Sequence, residues 1–259
     1  MNAAGLAVSE SPQLSIQGHI ATITLSRPAH ANRLNPDDLE TLRRHITVVN
    51  EDREVRVLRF LALGKYFCSG YDIGSLGSDT VPSSTFFGET MDEVEALRPV
   101  TIAVVQGGVY GGGTDLCLAC DFRIGTPQAD MFMPATRLGL HFYAGGLSRY
   151  VSRLGLDQAK RLFLTAERLD AAEMLRIGFL TELVSRQQLA DRMQALSAQL
   201  AAMAPLPLEG VKKHLNLIAR GRLNADEIAQ AVLRSERSQD LAEGARAWKE
   251  KRPARFTGA

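Results

Sequence analysis

The segment Gln106–Asp121, QGGVYGGGTDLCLACD, limits the possible folds more than any other part of the chain. A β-branched run, Thr101–Val105, leads into it, and an apolar helix-like stretch leads out. The chain must pass from strand to helix through Gly111, Gly112 and Gly113, a connection typical of α/β proteins. Glycine has no Cβ, so the N–H groups that open the helix lie bare. A helix N-terminus of that kind receives a negatively charged oxygen. The segment points to an enzyme that stabilises an oxyanion with main chain rather than with a metal. Its alternative reading is close packing of the helix against the strand.

The 259 residues suit one large domain, or one domain with an appended tail. Lys and Arg number 30 against 29 Asp and Glu, a net charge of +1. That balance supports neither a nucleic-acid partner, which needs a basic stripe, nor a polybasic membrane tether. Cys68, Cys117 and Cys120 are too few for a disulfide framework and indicate a reducing compartment, hence the cytoplasm. Cys117 and Cys120 form a CxxC without a second pair, so they read as small residues on a buried helix face rather than a metal or redox site. Met1–Gln13 lacks the apolar core of a signal peptide. No apolar run approaches the ~20 residues of a membrane span.

Residues up to about Pro12 read as a loose leader. Leu14–Gln17 and Ile20–Leu25 form a hairpin turning at Gly18-His19. Asn35 is placed to cap a helix with Pro36 in its first turn, and Leu39, Leu42, Ile46 and Val49 continue at helical spacing. Val55–Ala62 is a buried strand, Gly64–Gly74 a glycine-punctuated loop, Gly77–Ser84 a polar loop, and Phe86–Leu97 a helix. After the glycine turn come helix Thr114–Ala119, strands Phe122–Gly125 and Met131–Met133, helices Gly145–Leu154, Leu156–Thr165 and Ala171–Ile177, and strand Thr181–Val184. Four helices finish the chain: Arg186–Met203, Leu206–Ala219, Asn224–Ser238 and Leu241–Lys251. Strands alternate with helices early and helices dominate late, which predicts an α/β core over 1–187 and a helical cap or oligomerisation region over 188–259.

Four segments together resemble the crotonase (enoyl-CoA hydratase/isomerase) superfamily. They are Leu25-Ser26-Arg27-Pro28 with Asn32 and Leu34, Phe67 through Ile73, Pro99 through Asp121, and Pro134 through Arg149; Lys249 to Pro253 with Phe256 resembles the family's ending. The resemblance runs through nearly the whole chain in order. It implies a spiral of ββα turns with a helical C-terminal trimerisation region, a homotrimer or hexamer (a dimer of trimers), and an acyl-coenzyme A thioester as substrate with no other cofactor and no metal. In the family the thioester oxygen sits between two main-chain N–H groups. By motif these fall on Tyr71, after Ser69-Gly70, and on Gly112. Backbone donors tolerate any side chain, so the Tyr71 ring is free to line the groove. Ser69, Gly70, Asp72, Ile73 and Gly111 complete the substrate-binding loops, with Asp72 reading also as a cap of the next segment. Arg27 and Lys65 are candidates to meet the coenzyme's phosphates. Lys251 and Phe256, of this or a neighbouring subunit, are candidates to cover its nucleotide end.

The chain departs from the pattern at its acids. Family hydratases hold and activate a water with two glutamates. Here the first position is Asp115 and the second, in Met133-Pro134-Ala135, is Ala135. Adding water across a double bond needs a base for the water and an acid for the α-carbon. Asp115 is therefore a candidate acid/base, or else a helix N-terminal aspartate stabilised by the dipole. His141 and Tyr143 are candidates to compensate in the acyl pocket, and Arg137 could pair with a substrate carboxylate. Their ordinary readings are a capped loop histidine, a core-facing tyrosine and a surface arginine. Glu89, Asp92 and Glu93 read as a solvated helix face beside the acyl end. The expected function is an acyl-CoA-transforming enzyme of enoyl-CoA hydratase/isomerase type working through an enolate. The alternatives are another thioester reaction (hydrolysis, decarboxylation or C–C cleavage), an acyl-CoA-binding protein that has lost the chemistry, or an α/β protein binding an unrelated anion.

Overall fold

Strand β1 (Gln13–Gln17) runs antiparallel to β2 (Ile20–Leu25), and the turn between them passes through Gly18 at φ 55°, a region that favours glycine. The computed structural model describes residues 10–72, 74 and 84–259. Most of the expected leader, Ile73 and nearly all of the polar loop before Thr85 lie outside them.

From β2 onward the chain repeats one pattern: a strand in a main sheet, a short segment in a second layer, then a helix. The first turn is β2, Leu34, and α1 (Pro36–Glu51). The second is β3 (Val57–Ala62), residues 68–71, and α2 (Ser84–Ala96). The third is β4 (Val100–Val105), β5 (Val109–Tyr110) and α3 (Gly112–Ala119). The fourth is β6 (Phe122–Gly125) and β7 (Asp130–Phe132), followed by α4 (Ala144–Leu154). Parallel pairs join β2 to β3, β3 to β4 and β4 to β6, while Leu34↔Tyr71, Cys68↔Val109 and β5↔β7 join the second layer. The expected ββα spiral is thus present turn by turn. Helix α5 (Leu156–Thr165), strand β8 (Leu169–Asp170), helix α6 (Ala171–Arg176) and strand β9 (Glu182–Leu183) close the two sheets, β8 beside β7 and β9 beside β6.

Local chemistry sets these elements. Asn35 and Asp38 form a reciprocal capping box at the start of α1, a device worth ~1 kcal/mol. Leu39, Leu42, Ile46 and Val49 are buried at the predicted helical spacing. Every residue of β4 is buried, as in a parallel strand covered on both faces. One cover is α7 (Leu189–Ala201), whose Leu196 and Leu200 pack on Val57, Val100, Ile102, Val104 and Ile124. The helical region after Gln188 therefore begins with a helix that seals the core. Helices α8 (Pro205–Ala219), α9 (Ala225–Glu236) and α10 (Gln239–Glu250) follow. Strands β5 and β8 have two residues each, too few to show a period in sequence.

Candidate active site

The second layer brings the two glycine loops together. Gly70 sits at φ +91°, and a Cβ there would lie 2.6 Å from the Gly112 nitrogen and 2.9 Å from the Tyr110 oxygen. Only a glycine allows that approach. The Leu34 N–H bonds Gly70 O at 2.9 Å and the Asp72 N–H bonds Leu34 O at 2.8 Å. Tyr71 forms the bridge to Leu34, and its neighbour Gly70 meets the loop of residues 110–113. Gly112 opens α3, where N–H groups have no intrahelical acceptor. Gly111 donates to Phe132 O at 3.1 Å and serves as the N-cap at φ 50°, ψ −126°, so its amide belongs to the turn. Gly113 is close-packed, since a Cβ there would lie 2.5 Å from Cys68 O.

Asp115 follows Gly112 by one helical turn, so the two share a face of α3. It is wholly buried. Arg149 Nε donates to its Oδ1 at 2.8 Å and Arg149 Nη2 to its Oδ2 at 2.6 Å, while the Tyr143 hydroxyl donates to Oδ2 at 2.5 Å. Arg149, also wholly buried, extends Nη1 to Asp92 at 2.5 Å and to Glu95 at 3.4 Å. Burial works against its charge, but the hydrogen bonds and attraction from Asp115, with Asp92, outweigh it and raise the guanidinium pKa. Burial, and then the negative Asp115 and the hydrogen bond to it, push the Tyr143 phenol well above its usual range. Asp92, expected on a solvated face, thus bonds inward. Ala135 is buried and Pro134 lies beside Gly111, so no carboxylate reaches the site from this segment.

Aromatic rings wall the region between the loops and Asp115. The Phe87 ring tip would lie 2.6 Å from a Cβ on Gly112. Tyr71 and Tyr143 both pack on Phe87, at centroid distances of 5.7 and 6.0 Å. Phe142 stacks on Tyr143 at 4.2 Å. Sequence reasoning passed over Arg149, Phe87 and Phe142 as site residues. Arg149 had a visible signal: it shares the buried stripe of α4 with Gly146, Tyr150 and Leu154, an unusual place for a cation.

Several other candidates lie elsewhere. His141 is exposed, its Nδ1 2.8 Å from Phe142 O, and Arg137 is exposed; neither joins Asp115 and Tyr143. Arg27, the candidate for a coenzyme phosphate, has a partner within the chain. Its guanidinium is committed to Asp38, at 2.6 and 3.2 Å, and that carboxylate also caps α1. Lys65 is exposed, with its ammonium 5.3 Å from the Tyr66 ring centroid. Ser69 donates its N–H to Ala31 O at 3.0 Å. Asp72 pairs with Arg33 at 3.2 Å and accepts from the Gly74 N–H at 3.1 Å, the capping role expected of it. Lys251 caps α10 in a left-handed conformation, and Phe256 folds against Gly244 while its carbonyl accepts from Arg56 at 2.8 Å. Both thus lie at or beyond the end of α10. Ile73 lies outside the described residues. Among those residues, no group of three His, Cys, Asp or Glu side chains could hold a metal ion, and no helix is long and apolar enough to cross a membrane.

Comparison with known proteins gives one family. The model described as enoyl-CoA hydratase/isomerase matches residues 15–259. YngF of Bacillus subtilis (strain 168), an enoyl-CoA hydratase/isomerase by name, is 32% identical over 250 residues, covering 93% of this chain and 95% of the relative. A crotonyl-CoA hydratase of Syntrophomonas wolfei is 29% identical, covering 92% and 94%. The crystal structure of an enoyl-CoA hydratase from Bacillus anthracis superposes with a TM-score of 0.89 at 29% identity, covering 96% of this chain and 99% of that one.

Proposed function

The chain belongs to the enoyl-CoA hydratase/isomerase family, and on that premise we propose that it transforms an acyl-coenzyme A thioester by hydratase/isomerase chemistry. The thioester oxygen lies between the Tyr71 and Gly112 N–H groups, which take up the charge of a developing enolate. Losing one of two such donors costs ~10²–10³-fold in rate. The observation that carries this reading is the approach of Gly70 to the Gly112 nitrogen, too close for any Cβ.

Asp115 acts through Tyr143. A water adding to the β-carbon gives its proton to the Tyr143 oxygen as the phenol passes its own to Asp115 Oδ2. The same relay runs backwards to protonate the α-carbon. Both atoms added to the double bond then come from one water, and the relay ends as it began. A single relay answers the loss of the second carboxylate at Ala135. The reaction draws on no cofactor beyond the substrate's own coenzyme A.

The test is crotonyl-CoA, the substrate named by one relative. Hydration removes the absorbance of the conjugated thioester and forms the hydroxyacyl ester. No turnover on short or medium enoyl-CoAs would defeat the hydratase reading. Ala135 favours a second reading in that event: another crotonase-type reaction such as hydrolysis, decarboxylation or C–C cleavage, followed by release of free coenzyme A or carbon dioxide. Tight ester binding with no product at all would mark a binding protein.

The proposal extends to assembly. Val211, Leu215, Ile218 and Trp248 are exposed at 57, 60, 48 and 88% on α8 and α10. Covering them in a homotrimer, or in a dimer of trimers, accounts for apolar surface on the C-terminal helices. In that assembly Lys251 and Phe256 are available to the nucleotide end of a coenzyme bound by this or a neighbouring subunit, and Lys65 to its phosphates. Sedimentation measures the assembly directly. Three unpaired thiols fit a cytoplasmic enzyme, which fractionation tests.

A further inference from the structure

We propose that Phe87 closes the acyl pocket behind the thioester and restricts the enzyme to short, flat, uncharged acyl groups; the proposal rests on the thioester reading of the site. The Phe87 ring tip fills the space a side chain on Gly112 would take. It is 2% exposed, so its position is fixed by packing rather than by solvent. The Tyr71 ring centroid lies 5.7 Å from that of Phe87 and the Tyr143 ring centroid 6.0 Å.

Tyr143 cannot yield readily. A Cβ on Gly88, the residue after Phe87, would lie 2.7 Å from Tyr143 Cδ2, so the α2 backbone presses on that ring. Its hydroxyl is tied to Asp115 and its ring is stacked on Phe142, which meets Phe163 at 5.1 Å. A long chain leaving a carbonyl at Gly112 would have to displace close-packed rings, which interiors resist. A flat conjugated group lies along the ring faces instead. The charge at the inner end, Asp115, is already matched by Arg149, so nothing there recruits an acyl carboxylate.

The experiment is a chain-length ladder. Turnover is measured on crotonyl-, hexenoyl-, octenoyl- and decenoyl-CoA, for the wild type, Phe87→Ala and Phe87→Leu. In parallel, calorimetry measures binding of butyryl-CoA and octanoyl-CoA, which need no reaction. The wild-type kcat/KM is expected to fall about tenfold or more from crotonyl- to octenoyl-CoA, the discrimination a pocket wall ordinarily gives. Phe87→Ala shifts the octenoyl-to-crotonyl ratio upward by a similar factor, and Phe87→Leu shifts it the same way by less. Butyryl-CoA that binds about tenfold tighter than octanoyl-CoA, with no enoyl-CoA turned over, keeps the wall and defeats the hydratase reading. A wild type that accepts octenoyl- or octanoyl-CoA as well as the short ester overturns the wall. So does an unchanged ratio in folded variants. Failure of both esters to bind overturns both proposals. Should neither variant fold, the wild-type ladder decides alone.

Discussion

Arg149 grips Asp115 through both carboxylate oxygens, at 2.8 and 2.6 Å, and neither side chain reaches solvent. A carboxylate held this way is an anchor before it is a base. The clamp fixes its plane and aims Oδ2 at the Tyr143 hydroxyl.

Arg149→Met removes the cation and leaves Asp115 buried without a counter-charge. Breaking a buried pair from one side costs ~3–5 kcal/mol, and urea unfolding should register a loss of that order. Arg149→Lys should recover only part of it, because an ammonium cannot match two oxygens in one plane. Equal stability of the methionine variant and the wild type would show that the pair does not hold the site.

Tyr143→Phe keeps the ring against Gly88 and Phe142 but removes the hydroxyl that meets Asp115. The proposed amide donors and the aromatic walls remain, so KM for the thioester should change little. General acid–base groups contribute ~10²–10⁴-fold, and kcat should fall within that range. An unchanged kcat would take Tyr143 out of the chemistry.

Much of this was legible in the sequence because local rules fix it. The capping box at Asn35 and Asp38, the buried stripe of α1 and the glycine turn before α3 each depend on neighbours a few residues apart. The partnership of Asp115 with Arg149 spans 34 residues and that of Arg149 with Asp92 spans 57. No spacing rule links such positions; only the ββα winding brings α2, α3 and α4 side by side. The pairing of Arg27 was not legible from its motif either. Its motif stood beside the substrate loop, but its partner Asp38 lies on the next helix.

Gly70→Ala tests the proposed pair of amide donors without touching a side chain. The new Cβ would stand 2.6 Å from the Gly112 nitrogen, at a φ of +91° that alanine strains to adopt. Either the amide moves or the loop does, and both misplace a donor. Turnover should fall at least ~10²-fold, the cost of one lost donor. Circular dichroism should still report a folded protein, and full activity in such a variant would remove the two amides from the mechanism.

The thiols make stability fall on the alkaline side. Burial raises Cys68 and Cys120 from 9.0 to about 12, with neighbouring Asp121 adding to the shift at Cys120. Burial also pushes Cys117 well above 9.0, with Cys120 and Cys68 adding to it. The sign follows from proton counting. Below pH 9 both folded and unfolded thiols are protonated, so this stabilisation is fully present. Between about 9 and 12 the unfolded thiols ionise and the folded ones do not, so the unfolded state binds fewer protons and stability drops as pH rises. Each such thiol contributes a slope of roughly 1.4 kcal/mol per pH unit. Unfolding free energies from pH 7 upward, under reducing conditions, should stay flat and then bend downward past about pH 9. Cys120→Ala shifts the whole curve by its lost packing, but it should also reduce the alkaline slope by one thiol's share. An alkaline slope identical to the wild type's would mean that Cys120 ionises as readily in the folded core as in the open chain.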